Sequence, residues 1–228
     1  MKKPTRLLAA ILALALVCST SPLAQRESDE AKRVRDAVTV FSEMSGAGDK
    51  SIPQSILARA EGIAVFPGLI KGGFIIGAMH GRGILSAHNS AGWSAPAFLS
   101  IDGGSFGAQI GATAVDIVLV IMNPRGLTNL VGNQFKVGAD AGVAAGPVGR
   151  DATAATDIQM RAQILSYSRS RGLFAGITLN GSTFRADRDA NERFYGRKLD
   201  TKQIVIEGGA GSPGPVGDWI SALQAFRR

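Results

Sequence analysis

Apolar residues recur with helical spacing over 27–44, where Ala31, Val34, Ala37, Val38, Phe41 and Met44 form one stripe. Asp29 with Arg33 and Lys32 with Asp36 are opposite charges four residues apart, placed on the exposed side of that helix. Gly46 to Ser51 ends it, and Ser51 caps a short helix through Ile56 and Ala60 with Pro53 in its first turn. From Gly62 to about Ala145 the period shortens. GIAVF, GGFIIGAMHG, ILSAH, AFLSID, SFGAQIGA and DIVLVIM are apolar or alternating runs, mostly separated by Gly, Pro, Asn or Asp, and they predict a series of short strands. Asn89 to Gly92 reads as a hairpin loop. Asn123 to Leu130 reads as a short helix with Asn123 as its cap and Pro124 at its first position. Lys136 to Ala145 and Ala162 to Ser168 predict further strands. Leu173 to Leu179 and Thr183 to Ala186 flank Asn180-Gly181, the strongest short hairpin signal in the chain. Arg188 to Tyr195 predicts a helix. Val216, Trp219, Ile220, Leu223 and Phe226 mark a last amphipathic helix after the Gly/Pro-rich loop from Gly208.

Many short strands with few helices indicate a mainly β (α+β) protein, a barrel or sandwich of antiparallel strands with helices packed outside. The 29 glycines are spread through apolar runs, as twisted, sharply turning strands require. Neither an internal repeat nor a linker divides the chain, so one domain is expected over 28–228. Before it, Lys2, Lys3 and Arg6 precede an apolar run from Leu7 to Val17 that is too short to span a bilayer. Small residues follow, which gives a signal peptide of about residues 1–24 with cleavage between Cys18 and Gln25, and hence an exported protein. Cys18 invites a lipoprotein reading, but Val17 stands where a small residue is required.

Removing that leader changes the charge. The full chain carries 25 bases and 18 acids, whereas the chain after residue 25 carries 22 and 18, a net +4. This mild excess suits an anionic lipid surface and is too weak, with no aromatic-interleaved basic stripe, to indicate nucleic acid. Cys18 is the single cysteine, which excludes disulfides and a cysteine zinc site.

Catalytic patterns are short and out of context. Gly103-Gly104-Ser105-Phe106-Gly107 spells G-x-S-x-G, yet an alternating strand follows it, and both histidines, His80 and His88, precede it. Gly48-Asp49-Lys50-Ser51 resembles the end of a phosphate loop, but Asp49 replaces the required glycine and would repel phosphate. His80 and His88 have no obvious acidic partner for a metal site, and Asp187, Asp189 and Glu192 are interleaved with Arg188 and Arg193 as in a salt-bridged helix. No cofactor is implied. Lys71, Arg82, Arg150, Arg169 and Arg171 share a different setting: each lies beside or close to glycine, where backbone and cation together can approach a phosphate. Against this stands the ordinary fate of such side chains, pairing with carboxylates or solvent. Val34 and Phe41 of the first helix and Trp219 of the last are possible membrane contacts, with packing on the domain's own core as the alternative.

Five blocks occur in order: GIAVFP (62–67), WSAPAF (93–98), GPVGR (146–150), SYSRSRGLFAG (166–176) and NERFYG (191–196). Together they resemble the SYLF domain, a lipid-binding module. The resemblance implies a compact β-barrel with about three surface helices and binding of phosphoinositides or other anionic phospholipids. In some eukaryotic relatives it also implies actin binding. With an export signal, the expected partners are anionic membrane lipids of the cell envelope or periplasm. The alternative is a structural or interaction protein with an envelope protein partner.

Overall fold

A computed structural model of the chain describes residues 27–46, 48, 51–73, 76–106, 111–138, 142–148, 162–170, 172–176 and 179–226. Helix α1 (Asp29–Ser45) starts where the Ser28 hydroxyl accepts the Ala31 N–H at 3.1 Å, with Asp29 and Glu30 in the first turn facing the positive end of the helix dipole. After α2 (Gln54–Leu57) come β1 (Gly62–Gly73), β2 (Ile76–Asn89), β3 (Gly92–Trp93), β4 (Ala97–Phe106) and β5 (Gly111–Ile121). Helix α3 (Pro124–Val131) follows, with Asn123 Oδ1 accepting the Gly126 N–H at 2.9 Å. Strands β6 (Gln134–Lys136), β7 (Val143–Ala145), β8 (Ile164–Ser170), β9 (Leu173–Gly176) and β10 (Thr183–Ala186) complete the sheet. Helices α4 (Arg188–Tyr195), α5 (Thr201–Val205) and α6 (Val216–Gln224) close the fold.

The strands form one sheet in the order β6-β10-β4-β2-β1-β5-β8-β7, with β3 on β2 and β9 on β8. It is curled into a half-barrel, and strand outweighs helix. Alternation along each strand divides the apolar residues between two cores. Phe66, Leu69, Leu85, Leu99, Ile101, Ile117, Leu119 and Phe184 fill the concave side with α3 and α5. Val65, Ile84, Phe98, Val118, Val120 and Tyr167 point the other way, against α1, α2 and α6. Burial on both faces explains why DIVLVIM is apolar at successive positions instead of alternating.

Several sequence expectations are corrected. The central strands are long: β1 has 12 residues and β2 has 14. Pro67-Gly68 does not end β1. It forms a bulge, seen as a one-residue register shift against β5 between Phe66 and Leu69, with Gly68 at φ 58°. Asn180-Gly181 does close a turn, with Ser182 N–H donating to Leu179 O at 3.0 Å and Gly181 at φ 81°. The segments it joins are not partners, however. β9 pairs with β8, and β10 lies between β4 and β6. β8 turns back into β9 instead, between Ser170 and Leu173, with Gly172 at φ 77°. The β7–β8 pair is parallel, in a sheet read as antiparallel throughout. Six helices are present among the described residues, where the resemblance implied about three and the residue patterns five. The unforeseen α5 carries a legible start signal, since Asp200 and Gln203 form a capping box.

Two tyrosines tie stability to high pH. Burial raises the phenols of Tyr167 and Tyr195 above the usual value of 10. A raised acid binds its proton more tightly in the folded state. This contribution is therefore complete below pH 10 and is lost as pH rises from 10 through the folded values. Thermal melts should show stability falling above pH 10, by up to about 2.7 kcal/mol per pH unit when both groups contribute. The Tyr167 hydroxyl has no partner among the described residues, so Tyr167→Phe should remove about half the slope at little cost near neutral pH.

Candidate functional site

Arg169, the central cation of the SYSRSR block, is held by carboxylates. It lies on β8 directly across from Asp116 on β5. Its Nε and Nη2 donate to Asp116 Oδ2 at 3.2 and 2.7 Å, and its Nη1 donates to Glu43 of α1. Burial alone would lower the guanidinium pKa, and the hydrogen bonds to Asp116 and Glu43 outweigh it, so the net shift is upward. The second oxygen of Asp116 accepts the Gly68 N–H at 2.9 Å. One carboxylate thus fastens the β1 bulge to β8, and Arg169 fastens both to α1. The sequence reading of Arg169 as an anion contact gives way to this arrangement: two acids surround one base, which leaves no excess positive charge there.

The other blocks interlock in the same manner. The Ser166 hydroxyl donates to Ala144 O at 3.1 Å, and the Tyr167 ring lies so close to Gly146 that a Cβ there would stand 2.1 Å from Cζ. This explains the first glycine of GPVGR. Asn191 of NERFYG accepts the Phe98 N–H at 2.9 Å, Tyr195 donates to Pro96 O at 2.7 Å, and Phe194 meets Phe98 edge-on at 5.0 Å. Arg193 Nε donates to Glu30 at 2.8 Å. Arg33 does not pair with Asp29 on an exposed face. It is buried, donates to Asp187 at 3.3 Å and lies over the Phe98 ring at 5.3 Å.

Lys71 and Arg82 lie on strands, not in loops. Arg82 is exposed on the convex face, and Lys71 is partly exposed in β1. Neither has a carboxylate partner among the described residues. The glycines beside Arg82 serve the opposite face. An added Cβ at Gly81 would meet Leu69 at 3.0 Å, and one at Gly83 would meet Val65 O at 2.3 Å, so both are spaces for close packing, not phosphate cradles. Arg150 and Arg171 lie outside the described residues, as do Asp49, Lys50 and residues 1–26. Val34, Phe41 and Trp219 are fully buried between α1, α6 and the sheet, so packing on the core prevails over membrane contact for all three. Among the described residues, no helix is long and apolar enough to cross a membrane.

The convex face also holds residues the sequence did not single out. His80 does have an acidic partner: its Nδ1 lies 2.6 Å from Asp102 Oδ1, and Arg185 Nη1 donates to Asp102 Oδ2 at 2.9 Å. Only strand register, which places His80 opposite Asp102 and β10 beside β4, could reveal this trio. Among the described residues the strand that carries position 105 is followed by β5, where a nucleophile elbow needs a helix. No group of three or more metal-ligating side chains occurs among the described residues. A groove of about 490 Å³ lies between α4 and α5. Asp189, Glu192 and Asp200 outnumber Arg188 and Lys198 along it, so it does not suit an anion.

The family model described as Ysc84, Las17-binding protein actin regulator, matches residues 102–226. The chain is 32% identical over 210 residues to SH3 domain-containing YSC84-like protein 1 of Rattus norvegicus, covering 90% of this chain and 61% of that protein. The Xenopus laevis protein of the same name is 36% identical over 202 residues, covering 88% and 60%. LAS seventeen-binding protein 3 of Saccharomyces cerevisiae is 31% identical over 194 residues, covering 81% and 41%. The chain thus spans about three fifths or less of the length of these relatives. The name of the yeast relative is that of a binding protein.

Proposed function

The chain belongs to the Ysc84/SYLF family, and from that premise we propose that it is an exported, non-enzymatic module that binds anionic phospholipid or phosphoinositide headgroups. The observation that carries the reading is the contrast among its cations. Arg169 is neutralised within the fold, whereas Arg82 and Lys71 lie on the sheet without a carboxylate among the described residues. Arg82 also sits close enough to Arg33 to depress the latter's pKa, though burial of Arg33 is the larger cause. Arg150 and Arg171 complete the candidate set. With a net charge of only +4 after residue 25, binding is modest and falls with salt, because exposed charges are screened over about 10 Å at 0.1 M.

Cosedimentation with phosphatidylglycerol and phosphatidylcholine vesicles tests this. The protein should pellet with the anionic vesicles at low salt and be released at high salt. Arg82→Glu should weaken pelleting about tenfold with an unchanged melting temperature, because the side chain is exposed. Arg169→Gln should do the reverse. It should cost about 1–3 kcal/mol, since Asp116 is left with an unanswered charge, and should leave lipid affinity nearly intact. Equal, negligible pelleting with both vesicle types would overturn the lipid reading in favour of a protein partner, the role that the name of the yeast relative indicates for that protein.

A further inference from the structure

One row crosses four strands of the sheet: Asp102 on β4, His80 on β2, Ile70 on β1 and Ala114 on β5 are consecutive ladder partners. Beyond this row the strands run on to Gly73 in β1, Ile76 in β2, Phe106 in β4 and Gly111 in β5. The convex-face helices do not follow, since the strand residues packed beneath them end at Val65, Ile84, Phe98 and Val118. At and beyond the row, Ile70, Ala78, His80, Gly104 and Ala114 are exposed. Among the described residues of this projection, 72–73, 76–79, 103–106 and 111–115 carry no charge. The β8–β9 turn reaches the same level, as the Ser170 hydroxyl lies 3.5 Å from Ala114 O and Ser170 pairs with Leu173. Ile70 and Leu173, 57% and 74% exposed, are two of the three exposed large hydrophobics among the described residues.

Cations flank the row. Lys71 stands one residue past Ile70, Arg82 is two residues behind His80, and Arg185 holds Asp102. The two acids at this level are already engaged, Asp102 by Arg185 and His80, and Asp116 by Arg169 and the Gly68 N–H. We infer that the projecting strand ends, led by Ile70 and Leu173, are the element that enters the membrane interface, with Lys71, Arg82 and Arg185 meeting the headgroups. The occupant is an anionic bilayer because exposed Ile70 and Leu173 beside the cations Lys71, Arg82 and Arg185 match acyl chains below a layer of phosphates. Three to four residues at about 3.3 Å each extend about 10–13 Å past the row, close to the 5–10 Å to which interfacial segments bury. Within the projection β1 has a ladder partner on each side and so takes few unpaired backbone groups into the interface. This inference rests on the lipid reading above and replaces the first and last helices with the sheet tip as the membrane contact.

The test uses the full chain with Cys18→Ser and one cysteine introduced at Ile70, Leu173, Arg59 or Glu192, each labelled with an environment-sensitive dye. Arg59, just after α2, and Glu192, on α4, are exposed positions. On phosphatidylglycerol vesicles the dyes at 70 and 173 should brighten at least twofold, shift to the blue and be quenched by spin-labelled acyl chains, while those at 59 and 192 should not respond. Unlabelled protein carrying Ile70→Asp and Leu173→Asp should keep its melting temperature and bind these vesicles about tenfold more weakly. Pelleting with no response at 70 and 173, or with quenching at 59 or 192, would overturn the inference and leave lipid binding standing. A concentration-dependent response without vesicles would also overturn it, in favour of contact between two copies. Loss of pelleting for the unsubstituted chain would remove the lipid reading itself.

Discussion

Trp219→Ala is expected to cost about 3–5 kcal/mol, a large share of the roughly 5–15 kcal/mol that holds a typical domain folded. The indole is fully buried on α6, meets the Phe41 ring edge-on at 5.7 Å and donates from Nε1 to the Ser86 hydroxyl at 2.8 Å. Phe41 in turn meets Phe226 at 5.5 Å. Truncation therefore opens a cavity where the first helix, the last helix and the sheet meet, and leaves a buried hydroxyl without its donor. Trp219→Phe refills part of the volume but not the hydrogen bond, and should recover at least half of the loss. Urea unfolding followed by circular dichroism measures both. A loss below 1 kcal/mol for the alanine variant would show that α6 does not hold α1 on the sheet.

Gly83→Ala should cost about 3 kcal/mol despite adding one methyl group. The bulge at Pro67-Gly68 bends β1 over β2, so that a Cβ at Gly83 would stand 2.3 Å from Val65 O and 2.5 Å from the Phe66 ring. A backbone carbonyl cannot turn aside as a flexible side chain can. The bulge, fixed by Asp116 and Arg169, would have to shift instead. Gly217→Ala supplies the contrast. It lies in α6, an added methyl meets nothing within 4 Å, and helix propensity favours alanine by about 0.8–1 kcal/mol. Opposite signs for the two substitutions in the same unfolding assay are expected; equal effects would discount the close approach at Gly83.

The sequence by itself determined those elements whose signals are local. The apolar stripe of α1, the Asn123 cap of α3, the span of α4 and the turn at Asn180-Gly181 each depend on residues within one or two turns of chain, and each stands where the pattern put it. It also determined the mainly β class and, through five ordered blocks, the family. Strand partners were decided only by the tertiary structure. A strand makes its ladder hydrogen bonds to other strands and none within itself, so β9 could turn back on β8 and leave the Asn-Gly turn joining segments that do not pair with each other. The same holds for the cations. Lys71, Arg82 and Arg169 look alike as basic residues beside or near glycine. Yet register sets Arg169 across from Asp116, and alternation turns Arg82 toward solvent while its flanking glycines face Leu69 and Val65. A charge is freed or neutralised by what lies opposite it, at 2.7–3.2 Å between residues as far apart in sequence as 116 and 169. Chain order does not encode those distances, and the fold does.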